Sequence, residues 1–499
     1  MIEINNVTFT YGETSLNKDN STQASSLNDI DLKINNGEFV LLLGASGCGK
    51  TSITRLINGL IPEFYQGELK GDIIVEGKNT KQFYVSQLSD DVGSVFQDPH
   101  SQFFTSDTTS EIVFSCENAG MPREEIKANL EKITDKLQIN HLLDKSVFQL
   151  SGGEKQMVAI ASVCAYSPKI IVFDEPSANL DSYAIGKLKK ALETLKKEGY
   201  TIVISEHRIH YLTKLCDRVL IIENGKIIKE ITNNEFSLLN NNSAHNLGLR
   251  AIDLKSLDIK ENQHINKDIS LKINNICYYY DKQTNVINNL SAQFNKGDIV
   301  GIIGKNGVGK TTFLEVLCGL RKEKCGDILI NGIKKKVKQR NKETYLVMQN
   351  SDYQLFTDSV ENEIYLGVKK ENQSKKCNYL IEKMNLQGLN ERHPASLSGG
   401  QKQRLCVAVA YMKNASIVCF DEPTSGLDYK SMLGVTEILK ELSNEGKTIF
   451  VITHDYEFLV NSCNKVFYFE NNNTTKIMPV NTGTKDILGT ILGEVKDIF

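Results

Sequence analysis

Gly44-Ala45-Ser46-Gly47-Cys48-Gly49-Lys50-Thr51, continued by Ser52, decides the reading of this chain. The apolar run Phe39-Val40-Leu41-Leu42-Leu43 precedes it, and Ile53, Leu56 and Ile57 follow at helical spacing. The pattern predicts strand, glycine loop, helix, the context in which a loop can cradle phosphate. Glycines let backbone N–H groups curl toward an anion, and the helix start adds a positive dipole end. Lys50 has the reach for terminal phosphates, and the Thr51 hydroxyl suits Mg²⁺. The same order recurs in Gly304-Lys305-Asn306-Gly307-Val308-Gly309-Lys310-Thr311, continued by Thr312, after Ile299-Val300-Gly301-Ile302-Ile303. One such loop could be chance; two, each behind a strand-like run, predict two nucleotide sites.

The repeat extends through the chain. Gln97 matches Gln349, and the pairs Ser151 and Ser398, Glu175 and Glu422, His207 and His454 share one spacing. Two insertions are expected to be surface loops of the first half, residues 14–28 and Ile61 to Gly67. Strands alternating with helical patterns predict a parallel sheet with helices packed on it. The expected organisation is a first α/β domain over 1–232, an Asn-rich linker over 233–268, a second domain over 269–470 and a tail over 471–499.

Bulk properties narrow the class. With 24% charged residues and a net charge of −3, nothing points to a nucleic-acid binder. Eleven cysteines without a CxxC pair fit a reducing compartment better than a disulfide framework. No run reaches membrane-span length, so a role at a membrane would be played from the water side.

Each half carries a strand ending in two carboxylates, Ile170 to Asp174-Glu175-Pro176 and Ile417 to Asp421-Glu422-Pro423. Open α/β sheets bind ligands at such strand ends. There Asp174 and Asp421 would serve Mg²⁺, while Glu175 and Glu422 would polarise an attacking water. Leu150-Ser151-Gly152-Gly153-Glu154 and Leu397-Ser398-Gly399-Gly400-Gln401 read as serine-capped helix starts with bare N–H groups. His207 and His454 each close a later strand.

Phosphate loop, Gln, LSGGE or LSGGQ, DEP and His in that order, twice, resemble the ATP-binding cassette (ABC) family over about nine-tenths of the chain. The resemblance implies two tandem P-loop ABC nucleotide-binding domains. Each would have a RecA-like core, an antiparallel β subdomain and a helical subdomain. It implies ATP and Mg²⁺ as cofactors, clamped head to tail. Lys50, Thr51, Asp174, Glu175 and His207 would face Ser398, Gly399 and Gly400, and Lys310, Thr311, Asp421, Glu422 and His454 would face Ser151, Gly152 and Gly153. Gln97 and Gln349 would reach the metal and the attacking water, and Tyr11 and Tyr280 would stack on adenine. Asn179-Leu180-Asp181 and Gly426-Leu427-Asp428 match the D-loop. Met157 against Arg404, and Glu154 against Gln401, raise the possibility of unequal sites. Cys48, between two glycines and beside Lys50, is expected to be a reactive thiol that bound ATP protects, a property Val308 cannot share.

Val95-Phe96-Gln97 to Phe103-Phe104 and Val347-Met348-Gln349 to Leu355-Phe356 resemble the Q-loops of energy-coupling-factor (ECF) transporter ATPases. That implies a membrane T component docking there, with a substrate-binding S component beside it. The Asn58 to Tyr65 loop and Glu206-His207-Arg208 look like fused ATPases for thiamine or pyrimidine-precursor uptake. Two rivals stand: a ribosome-associated ABC-F protein and the fused ATPase of a sugar importer. The basic clusters at Lys334 to Arg340 and Arg321 to Lys324 read as solvated faces.

Overall fold

The computed structural model describes residues 1–12, 26–259, 266–280, 285–368, 373–471 and 474–493, so the 14–28 insertion lies almost wholly outside the described residues. The chain forms two compact units, Met1–Asp253 and Leu254–Phe499.

In the first unit, β1 (Ile2–Tyr11), β2 (Leu27–Ile34), β3 (Phe39–Leu43), β4 (Gly67–Val75) and β5 (Lys78–Asn79) precede β6 (Val92–Val95). Then come β7 (Ile170–Asp174), β8 (Thr201–Ser205), β9 (Arg218–Glu223) and β10 (Lys226–Thr232). The large sheet runs β6-β7-β8-β3-β9-β10, parallel except for its last pair. An antiparallel sheet, β2-β1-β4-β5, forms the second layer. In β3 and β8 every residue is buried, as a strand covered on both faces requires. Alternation sorts them: Val40, Leu42, Val172 and Val203 pack toward the antiparallel sheet and the helix Lys50–Ile57. Phe39, Leu41, Phe173 and Ile204 pack toward the helical side, with the helix Gly152–Ala165.

The second unit repeats this plan. Its strands are β11 (Ile269–Tyr279), β12 (Asn285–Asn295), β13 (Ile299–Gly304), β14 (Cys325–Ile330), β15 (Ile333–Lys334), β16 (Thr344–Val347), β17 (Ile417–Asp421), β18 (Thr448–Ile452), β19 (Lys465–Asn471) and β20 (Thr474–Pro479). The sheet orders are β12-β11-β14-β15 and β16-β17-β18-β13-β19-β20, the same as in the first unit.

Three expectations change. The linker does not begin at residue 233: Phe236, Ala244, Leu249 and Ile252 join the first unit's core. Its asparagines work as connectors; Asn241 donates to Asp253 O and accepts from the N–H groups of Ile252 and Asp253. The tail completes the second unit, because β20 pairs with β19 and Leu488 is buried in the helix Lys485–Ile491. The Ile61 to Gly67 loop lies at the surface as expected, with Glu63 to Gly67 exposed and fully buried Ile61 anchoring it. Cys277 and Cys325 face each other across β11 and β14 and are joined as a disulfide, while the nine other cysteines are outside any disulfide and buried.

Candidate active site

Both phosphate loops leave the carboxyl end of their sheet's parallel strand β3 or β13. Asp174 ends β7 and Ser205 ends β8 at the same edge. Gly44 has φ +148° and Gly304 +149°, a region closed to most side chains. The helices Lys50–Ile57 and Lys310–Leu317 start after Gly49 and Gly309 with no side-chain cap, so their first N–H groups remain available to an anion. Lys50 is buried and its Nζ donates to Gly44 O at 2.8 Å and Ala45 O at 3.1 Å. Lys310 repeats this with Gly304 O at 2.7 Å and Lys305 O at 3.1 Å.

Thr51 Oγ1 donates to Asp174 Oδ1 at 3.2 Å, and Thr311 Oγ1 to Asp421 Oδ2 at 2.8 Å. Ser205 Oγ also donates to Asp174. Burial, then the neighbouring Glu175 charge, push the Asp174 carboxyl up; burial does the same to Asp421. Hydroxyl and carboxylate oxygens converging at an anion loop fit Mg²⁺, a hard cation that binds through few protein oxygens and substrate phosphates. Thr51 with Asp174, and Thr311 with Asp421, would hold it, and it would supply charge neutralisation of the phosphates.

Gln97 Nε2 donates to Glu175 Oε2 at 3.0 Å, and His207 Nε2 lies 3.2 Å from Glu175 Oε1. The second unit is looser: His454 Nε2 is 3.8 Å from Glu422 Oε1 and 3.1 Å from Asn306 Oδ1. Gln349 is exposed and is not brought to Glu422 among the described residues. Glu175 and Glu422 both sit at positive φ, 48° and 52°. Non-glycine residues are held there at a cost of about 1–3 kcal/mol, typically where function over-determines the backbone.

Tyr11 and Tyr280 are pinned by their hydroxyls to Ser52 at 3.1 Å and Thr312 at 3.0 Å. Arg55 donates to Tyr11 and lies over the Tyr65 ring, and Arg321 lies 4.9 Å from the Tyr280 centroid. Cys48 corrects its expectation. Its side chain is 6% exposed and packs in the core behind the loop, beneath Gly44. The flanking positive-φ glycines turn it inward, so it is not positioned as a reactive thiol. Cys48 and Val308 instead donate their N–H groups to Ala45 O and Lys305 O inside the loops.

The signature serines cap the helices Gly152–Ala165 and Gly399–Met412, with Ser151, Gly152, Ser398 and Gly399 exposed and Gly153 and Gly400 half-buried. Asp181 and Asp428 cap the helices after the D-loops.

Gln403 escaped the motif reading, and Glu206 was given no role by it. Gln403 Nε2 donates to Glu422 O at 2.9 Å and braces that strained peptide. Its place two residues past LSGGQ was the available signal. Glu206, behind His207, is buried beside Ser177, whose hydroxyl donates to it. Burial raises its pKa to about 8, with the Ser177 bond opposing and the Glu175 charge adding. The matching residue of the second half is Thr453. An unfolded chain releases this proton near 4.5 and the folded one near 8, so stability falls as pH rises between them. Glu206→Thr should therefore stabilise the chain more at pH 8.5 than at pH 5, by a differential of a few kcal/mol at about 1.4 kcal/mol per pH unit, and so raise Tm more at the higher pH; thermal melts at the two pH values check it.

The family described as ABC transporter matches residues 27–178 and 287–425, together more than half the chain. The chain belongs to the ABC transporter family. A "Putative ABC transporter ATP-binding protein" of Treponema denticola is 45% identical over 93% of this chain and 94% of its own length. One from Clostridium perfringens is 33% identical over 89% of this chain and 86% of its own. The solved structure titled "Model of ribosome-bound archaeal Pelota and ABCE1" aligns over 97% of this chain and 80% of its own, with TM-score 0.69 and 21% identity, a likeness of fold. This ABC protein is thus a tandem-cassette ATPase that uses ATP with Mg²⁺. Among the described residues no helix is long and apolar enough to cross a membrane.

Proposed function

We propose that this chain is the ATP-hydrolysing subunit of an ECF-type importer. It would work at the cytoplasmic face of the membrane with a T component and an S component that carries a vitamin- or metal-class cargo. In this reading ATP is clamped head to tail, each signature covering the γ-phosphate held by the other half's phosphate loop. Glu175 and Glu422 act as bases, His207 and His454 contact the γ-phosphate, and Gln97 and Gln349 link the metal to the Q-loops.

The observation that carries the reading is the surface beside Gln97. A groove of about 640 Å³ opens there, lined by Leu60, Phe96, Phe104, Phe114, Tyr166 and Asp90. Phe104 is 76% exposed yet stacks on Phe114 at 5.1 Å. The loop is braced: Gln102 brackets it through Phe96 N and Ser94 O, and Glu111 accepts from Phe104 N and Thr105 N. Gln354 and Glu363 repeat both braces around Phe356. An exposed aromatic wall tied through one loop to the catalytic carboxylate suits a helix of a membrane partner, because closure at the nucleotide would move it.

Phe104→Asp is expected to abolish co-purification with a T-component-type membrane protein from detergent-solubilised membranes. ATPase activity of the isolated chain should change less than about twofold, since an exposed substitution perturbs folding little. Retention of that partner, or co-sedimentation of the parent chain with ribosomes instead of membranes, would sink the reading.

A further inference from the structure

Two of the eleven cysteines reach solvent, and they are bonded to each other: Cys277 is half-buried and Cys325 exposed, while the rest are buried. Their Cα atoms lie 5.1 Å apart, inside the ordinary span of a disulfide, so the bond can open and close with little backbone movement. Both sulfurs sit by the Asn275 carbonyl oxygen, Cys277 Sγ at 3.8 Å and Cys325 Sγ at 3.4 Å. That oxygen gives a thiol hydrogen an acceptor when the bond is open.

The place of the pair shows what it holds. In each unit the strand leading to the base tyrosine is interrupted on one side by a bulge, after Asn5 in β1 and after Asn274 in β11. Past the bulge, β1 keeps four pairs with β4: Thr8 with Lys70, Phe9 with Leu69, Thr10 with Glu68, and Tyr11 itself with Gly67. β11 keeps one with β14, Cys277 with Cys325, because β14 begins at Cys325. Beside it Lys324 N donates to Cys277 O at 2.9 Å. The disulfide thus stands where a longer ladder secures the first unit's tyrosine. The segment just before Cys325 carries Arg321, 4.9 Å from the Tyr280 centroid, and Lys324, 5.2 Å from that of Tyr279. The bond therefore ties the strand that leads to Tyr280 to the cations lying over its tyrosine rings.

We propose that Cys277 and Cys325 are a reversible thiol–disulfide site that sets how firmly the second unit grips ATP. Closed, the bond holds Tyr280 in place; open, the grip loosens. That Tyr280 carries adenine rests on the cassette reading above. The first unit, with Thr8 and Lys70 at the matching places, has no such control. The reductant is a small monothiol of the glutathione class. Its thiolate attacks the exposed Cys325 sulfur, forming a mixed disulfide and releasing Cys277 as a thiolate that takes a proton. A second monothiol attacks the small-molecule sulfur of that mixed disulfide, frees Cys325 as a thiol and departs as the oxidised small disulfide. Oxidation by that small disulfide runs the same steps backwards.

Alkylation of the native full chain in reduced or oxidised glutathione, followed by peptide mass mapping, reads the chemistry. Reduction should add label at Cys277 and Cys325. Titration with a fluorescent ATP analogue reads the grip, in Lys50→Ala, where the second site dominates binding, and in Lys310→Ala, where the first does. Reduction should weaken binding about fivefold in Lys50→Ala, the low end of what a lost aromatic–base stack costs. In Lys310→Ala the change should stay below about twofold, as for well-separated sites. With Cys277→Ser and Cys325→Ser added to Lys50→Ala, affinity should match the reduced chain under both conditions. Tyr280→Ala should abolish the response; a response that survives it would sink the adenine role of Tyr280 and keep the thiol site. No label gained on reduction, no change in Lys50→Ala, or an equal change in Lys310→Ala would overturn the proposal.

Discussion

Replacing Glu175 and Glu422 together by glutamine is expected to leave ATP affinity within about threefold of the parent while turnover falls by about 10³, in the range lost with a positioned base. The amide keeps the shape of the carboxylate, so the backbone held at φ 48° and 52° has no reason to change. It cannot take a proton from water. The groups that would grip the triphosphate are elsewhere, on Lys50, Lys310 and the bare helix starts. The single substitutions should differ in one respect. Glu175 is bound by Gln97 and approached by His207, so Glu175→Gln must also reorganise that contact, whereas Gln349 stands apart from Glu422. Equilibrium binding of a fluorescent ATP analogue beside phosphate release measures both quantities. A double variant within tenfold of the parent rate would show that another group takes the proton.

Much of this was legible because it is local. A loop of eight residues behind a buried strand declares itself, and so does a serine cap three residues before Glu154 or Gln401. The second glutamine of each Q-loop was readable as a pattern, and its hydrogen bonds to the strand just before it explain why the pattern exists. What stayed hidden depends on packing between distant segments. Residues 233–253 look like linker because polar asparagines separate the apolar positions. Only in the fold do Phe236 and Leu249 reach the core and does Asn241 become a buried clamp. Cys48 looked reactive from its neighbours in sequence, yet side-chain direction there is set by backbone angles that spacing does not reveal. Arg208 stands where Asp455 caps the helix Tyr456–Ser462; without that cap, the matching segment of the first unit forms turns.

Gly44→Ala should be the most damaging single-atom addition in the first phosphate loop, costing about 2–4 kcal/mol and at least 100-fold in ATP affinity at that site. A Cβ there would lie 2.2 Å from Ile222 O and 2.6 Å from Cys48 Sγ. The sulfur could swing; the carbonyl could not, because Ile222 is held in β9 by its pairing with β10, and β9 pairs with β3. The loop itself must therefore lift, taking with it the Gly44 carbonyl that positions Lys50. Gly47→Ala is the control. Its φ of +80° still disfavours a side chain, at a cost of about 1–2 kcal/mol, but the added carbon meets nothing within 4 Å. Gly304→Ala should copy Gly44→Ala in the second unit, where the obstructing atom is Phe469 O at 2.4 Å. Thermal melts separate steric from torsional cost, and ATP titration shows whether the loop has moved. If Gly44→Ala melted within a degree of Gly47→Ala, the contact with β9 would not be what shapes the loop.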